Sequence, residues 1–191
     1  HQQIDNLRGD REEISTALRR IRQEQIVLLG WRDLVGAAPL SEVLETLSTL
    51  ADAAIGAALQ CAHLELVNRF GQPIGENSGK PVQLTVLGLG KLGGRELNMS
   101  SDVDLVFAYR ENGSTNGTQS ISNHEFFIKL GQALIDILQT PTADGLVFRV
   151  DMRLRPNGDS GPLALSFDAI DHYFLTHGRE WERYALIKAR P

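Results

Sequence analysis

The chain has 191 residues, enough for one substantial core or for a domain with a helical appendage. Its 42% hydrophobic and 23% charged content is that of a soluble globular protein, and a net charge of −5 argues against general nucleic-acid binding, DNA or RNA. Cys61 is the single cysteine, which excludes an intrachain disulfide and suits a reducing cytoplasm, and no apolar run approaches the length of a membrane span, so no membrane partner is expected.

In chain order, residues 10–30 read as a helix from the spacing of Ile14, Leu18 and Ile21. Pro39 breaks the pattern, and Ser41 is a plausible N-cap for a second helix to about Phe70. Glycines and prolines between Gly71 and Pro81 mark a boundary, giving an N-terminal helical segment (1–75) and a second unit (80–191). Strands are expected at Val82–Leu87, Val103–Tyr109 and Leu146–Leu154. Between the last two lies a helix whose start, Ser122 to Glu125, has the capping-box pattern, with Ile121 and Phe126 placed as a hydrophobic staple and Pro141 as its stop. Helical segments at about 167–176 and 179–190 follow. The class is α+β: helices, then a small mixed sheet, then helices. The chain begins at His1 with no initiator Met or signal peptide, and stops straight after a helical pattern. It therefore reads as a C-terminally truncated fragment of a longer protein.

Acids stand out on this frame. Asp102 and Asp104 alternate at the mouth of the second strand and so share a face, and Asp151 lies in the third. Three acids converging on one point repel and raise one another's pKa. Two divalent cations would remove that repulsion and clamp the attacking and leaving oxygens of a phosphoryl transfer, and carboxylate donors suit Mg²⁺ or Mn²⁺. The plainer alternative is that Asp102 caps a turn while Asp104 and Asp151 pair with arginines.

The loop before Asp102 holds Gly88, Gly90, Gly93 and Gly94, whose backbone N–H groups could approach a phosphate closely. Gly88, Gly90 and Gly93 also match the dinucleotide fingerprint by letter, but only eight residues separate Gly93 from Asp102, too few for a parallel crossover. A phosphate-binding P-loop fails because Leu92 stands where Ser or Thr should follow Lys91. Arg153 and Arg155 alternate with Asp151, and either bind phosphate or form a salt-bridge ladder that holds the acids. Lys91 and Arg95 are likewise phosphate contacts or solvated charges. His124, His172 and His177 lack metal-ligand spacing.

A glycine pair ahead of Ser-Asp-x-Asp, with a later strand acid, resembles the nucleotidyltransferase superfamily of DNA polymerase β type, although Lys91 follows Gly90 where that superfamily usually has Ser. The strings GLGKLGGRELNMSSDVDLVF, DGLVFRVDMRLRPNGDSGPLALS and GREWERYALIKAR more closely resemble the glutamine-synthetase adenylyltransferase family, over roughly residues 84–190. That resemblance implies a polymerase β-like core and two such domains in tandem in the family. One attaches AMP to a tyrosine of glutamine synthetase; the other removes it by phosphorolysis, releasing ADP. The strings look more like the N-terminal, AMP-removing half. The resemblance implies that Asp102, Asp104 and Asp151 are catalytic and hold about two Mg²⁺ or Mn²⁺ ions. It makes Gly90, Lys91, Gly93, Gly94, Arg95, Ser101, Arg153 and Arg155 candidate contacts for ATP, ADP, AMP or phosphate, and it implies control by PII signalling proteins. The alternatives are the AMP-attaching half, a non-catalytic nucleotide-sensing module and, more remotely, a dinucleotide-binding oxidoreductase.

Overall fold

A computed structural model describes Ile4 and residues 10–191. The first helix, α1 (Arg11–Leu34), starts on Asp10, whose carboxylate accepts the Glu12 and Glu13 N–H groups while Glu13 returns the bond to the Asp10 N–H. The second, α2 (Leu40–Phe70), begins one residue before the expected cap: Pro39 precedes it and no side chain caps it. Proline's fixed φ and its free carbonyl, which accepts from Glu42 and Val43, serve in place of the Ser41 hydroxyl. By length and composition α2 could cross a membrane, with a mean hydropathy of 1.3 over 18 residues, which corrects the expectation that no run reaches that length. Its apolar stripe, including Val43, Leu47, Ala51 and Ala58, is buried against protein.

The sheet is small and mixed. Its centre is β3 (Val103–Tyr109), which pairs antiparallel with β2 (Leu84–Gly88) along one edge. On the other edge it pairs in parallel first with β5 (Val150–Asp151) and then with β6 (Ala164–Ser166). A separate two-stranded ribbon joins β1 (Pro73–Gly75) to β4 (Gly113–Thr115). One turn of helix, α3 (Gly90–Gly93), lies between β2 and β3. The antiparallel pairing of β2 with β3 removes the parallel crossover that a dinucleotide fold requires. The third strand is much shorter than expected, two residues rather than nine, because the Val147 and Phe148 N–H groups bond instead to the Leu138 carbonyl and the chain turns at Arg153.

Helix α4 (Asn123–Gln139) starts on the Ser122 hydroxyl, which accepts the Glu125 N–H, and stops before Pro141. The Glu125 carboxylate pairs with Lys129. Helix α5 (Phe167–Thr176) starts on Ser166. Helix α6 (Glu180–Ala185) then runs into a 3-10 turn at Leu186–Lys188, not one helix to residue 190.

One hydrophobic cluster runs through both parts of the chain, from Leu18 and Leu47 in the helices to Phe107 in β3 and Phe126, Phe127 and Leu134 in α4. Each of those fully buried aromatic side chains contributes about 1.5–3 kcal/mol relative to exposure. Polar ties reinforce the seam. Buried Arg19 donates to the Thr140 carbonyl at 2.8 Å and to Ser15 Oγ at 2.6 Å, and Arg11 reaches Asp136 at 3.2 Å. The helical segment thus packs on α4, which in turn lies on the sheet.

Candidate active site

Strand register sets the acids. Asp104 and Asp151 are Cα partners across the parallel β3–β5 pair, so both carboxylates project from one face of the sheet. Asp102 lies two residues before Asp104, just outside β3, and its side chain is exposed.

The glycine loop packs against the middle acid. Gly90 has φ +53°, and a Cβ there would lie 2.6 Å from Asp104 Oδ2. Only glycine meets both demands. The loop is tied to β3 by the Leu89 N–H bonded to the Asp104 carbonyl at 2.9 Å, and buried Leu92 anchors it below. Lys91 Nζ reaches Ser101 Oγ at 3.3 Å, close enough for its charge to favour ionised Asp104. Ser101 Oγ in turn donates to Asn98 Oδ1 at 2.7 Å, and the same oxygen accepts the Ser100 N–H at 3.1 Å.

Burial, then the charges of Asp151 and Asp102, push the Asp104 pKa above the usual carboxylate range. Asp151 moves the other way. Its hydrogen bonds from Arg153 hold its pKa down, with the Arg153 side chain joined to both carboxylate oxygens and the backbone N–H 2.8 Å from Oδ1. Asp102 pairs with Arg149, whose Nη2 also donates to the Ser100 carbonyl at 2.7 Å.

The expected gathering of three carboxylates is therefore incomplete: among the described residues, no three His, Cys, Asp or Glu side chains are already close enough to hold an ion. Asp102 is drawn to Arg149 and Asp151 to Arg153. The residues nonetheless fit Mg²⁺ or Mn²⁺ in donor chemistry. Two carboxylates stand on one sheet face, a third is two residues away, and Asp104 carries the excess repulsion that a cation relieves.

The remaining candidates divide. Gly90, Lys91 and Ser101 lie at the acids. Gly93 and Gly94 lie on the far side of the loop, where a Cβ would strike the Lys188 carbonyl at 1.9 Å and the Lys188 side chain at 3.1 Å respectively. Arg95 turns away from the acids: its guanidinium joins Glu45, Thr49 (2.8 Å) and Asp52 (3.4 Å) on α2. A left-handed backbone at Arg95, φ +56°, directs it there. Arg153 and Arg155 do not share a strand face, because the strand ends at Asp151. Arg153 folds back on Asp151, while Arg155 donates to the Met152 carbonyl at 2.7 Å and shapes the loop that follows. Sequence reasoning missed Arg149, although alternation with Asp151 placed it on the acids' face. It also missed Asn98, whose signal was an Asn two and three residues ahead of a serine pair, a turn-forming arrangement.

All 191 residues match the model of the glutamate-ammonia ligase adenylyltransferase family. The chain belongs to that family. It is 57% identical over 179 residues to a bifunctional glutamine synthetase adenylyltransferase/adenylyl-removing enzyme of Chromobacterium violaceum, covering 94% of this chain and 20% of the relative. Enzymes of the same description are 53% identical in Nitrosococcus oceani, over 99% of this chain and 20% of the relative, and 53% identical in Pseudomonas aeruginosa, over 95% and 19%. The chain thus spans about a fifth of the length of these family members.

Proposed function

We propose that this chain is a metal-dependent nucleotidyltransferase that removes AMP from the adenylylated tyrosine of glutamine synthetase by phosphorolysis. The observation that carries the reading is the pairing of Asp104 with Asp151 on one sheet face, with Gly90 packed against Asp104, in a chain of this family.

In this reaction a phosphate oxygen attacks the adenylyl phosphorus, the bond from phosphorus to the tyrosine oxygen breaks, ADP forms and the tyrosine hydroxyl is restored. Asp102, Asp104 and Asp151 would hold Mg²⁺ or Mn²⁺, which supplies positive charge to the oxygens around phosphorus. Arg153, exposed at its tip, exchanges one carboxylate oxygen for a phosphate oxygen, for which its guanidinium fork is suited. Lys91 and Ser101 present a cation and a hydroxyl on the loop side. Arg149 pairs with Asp102 in the ion-free chain and gives it up when the ion binds. The glycine loop keeps side chains away from Asp104. Dependence on PII signalling proteins, binding of ATP, ADP or AMP, and action in the cytoplasm belong to the same proposal.

Replacing Asp104 by Asn removes one charged ligand at no cost in volume. Phosphate-dependent ADP release from adenylylated glutamine synthetase is then expected to fall by about 10²-fold or more. Retained release by the variant refutes the assignment. The relatives are bifunctional, adenylyltransferase and adenylyl-removing, so the AMP-attaching half is the second reading. Incubation with ATP and unmodified glutamine synthetase separates them, since labelling of the tyrosine belongs to that half alone.

A further inference from the structure

The glycine loop is gripped on the side facing away from the acids, and the grip centres on one carboxylate. Asp52, in the middle of α2, accepts from Arg190 Nη2 through Oδ1 at 2.9 Å and lies 3.4 Å from Arg95 Nη1 through Oδ2. The two arginines hold the loop at different points. Arg95 leaves it with its left-handed backbone, a conformation that costs a non-glycine residue about 1–2 kcal/mol unless its surroundings hold it. Arg190 donates from the same Nη2 to the Leu92 carbonyl at 3.1 Å, and its backbone pairs with Gly88 in both directions, at 2.8 and 2.9 Å. Between them the 3-10 turn at Leu186–Lys188 presses on Gly93, where a Cβ would meet the Lys188 carbonyl at 1.9 Å. Lys188 closes the edge by pairing with Glu96 at 2.7 Å.

From these contacts we infer that Asp52 is a positioning residue for the reaction at Asp104. It touches none of the three acids. It holds Arg190 and shares Arg95 with Glu45 and Thr49, the two arginines fix the loop between Gly88 and Arg95, and the loop sets the approach of Gly90 to the Asp104 carboxylate. All three side chains are about two-thirds buried, so the ion pairs are screened less than surface pairs are. The network also answers what Arg95 does. Its charge serves α2 and the loop, and reaches substrate only through them.

The inference rests on the proposed activity for its kinetic consequence, and on the loop alone for its structural one. Hydrogen exchange and steady-state kinetics of Asp52→Asn test both. The expected result is exchange at least tenfold faster at the Gly93, Gly94, Arg95 and Glu96 amides, with α4 amides unchanged. With it, kcat for phosphate-dependent ADP release falls about tenfold, KM for adenylylated glutamine synthetase stays within twofold, and Asp52→Glu restores most of the rate. Unchanged loop exchange, or faster exchange throughout the chain, overturns the inference. So does a loosened loop with kcat intact. A wild-type chain that releases no ADP counts against the proposed activity alone, and the exchange arm then decides the role of Asp52.

Discussion

Asp104 is placed where its chemistry and its stability pull apart. Burial and two neighbouring carboxylates raise its pKa in the folded chain above its unfolded value. A carboxyl shifted in that direction favours the folded state at low pH, and the benefit is lost as pH rises through the folded-state value. Ionised Asp104 therefore destabilises the ion-free protein at neutral pH. Asp104→Asn is expected to raise Tm at pH 7 in the presence of a chelator, and the gain should shrink as the pH is lowered towards about 4, where aspartate takes up its proton in the unfolded chain. Thermal melts across that range check the sign. A variant less stable than the parent at pH 7, or a gain that grows on acidification, contradicts it. At this scale the sequence was readable where periodicity decides geometry: alternation turned Asp104 away from the buried side chains of Val103 and Leu105. It was unreadable where a side chain could choose among partners. Nothing in the spacing of Arg95 told that its guanidinium would fall to Glu45, Thr49 and Asp52.

Among the elements, β3 and α4 do most to hold the site still. Every residue of β3 except Asp104 is buried, and α4 covers it so closely that Gly131 touches the Phe107 ring. A Cβ at Gly131 would lie 2.7 Å from Phe107 Cδ2, and the ring, 1% exposed, has nowhere to go. Gly131→Ala gains up to about 1 kcal/mol of helix propensity, yet overpacking a tight core costs about 1–3 kcal/mol. The overpacking wins, and Tm is expected to drop by about 2–4 °C for each net kcal/mol lost. A calorimetric scan that finds the variant equally or more stable would show that the helix can shift off the sheet. Elements with strong local signals were legible: α4 announces itself by Ser122 and Pro141, and β3 by its apolar run. The three-residue strands β1, β4 and β6 were not, since pairing across the fold and not local sequence creates them, and of the strand expected over 146–154 only β5 forms.

On the scale of the whole molecule, the helical segment and the sheet form one continuous core, and the polar seam from Arg11 and Arg19 to the end of α4 joins them further. That arrangement explains why a small sheet can carry a cluster of like charges. The cost of holding Asp104 against Asp151 is spread over a rigid support, which extends through α2 and Asp52 to the back of the glycine loop. The order of elements was visible in the sequence. The packing of helices on sheet was not, because an apolar stripe says which face is buried and not what buries it. The central claim is that Asp102, Asp104 and Asp151 bind divalent ions where a nucleotide's phosphorus reacts. Anomalous diffraction from crystals soaked with Mn²⁺ and ADP tests it most directly. The account predicts manganese density within about 2.5 Å of carboxylate oxygens of Asp104 and Asp151, with Asp102 released from Arg149 to join it. Manganese bound elsewhere on the chain, with Asp102 and Asp151 still paired to their arginines, contradicts it.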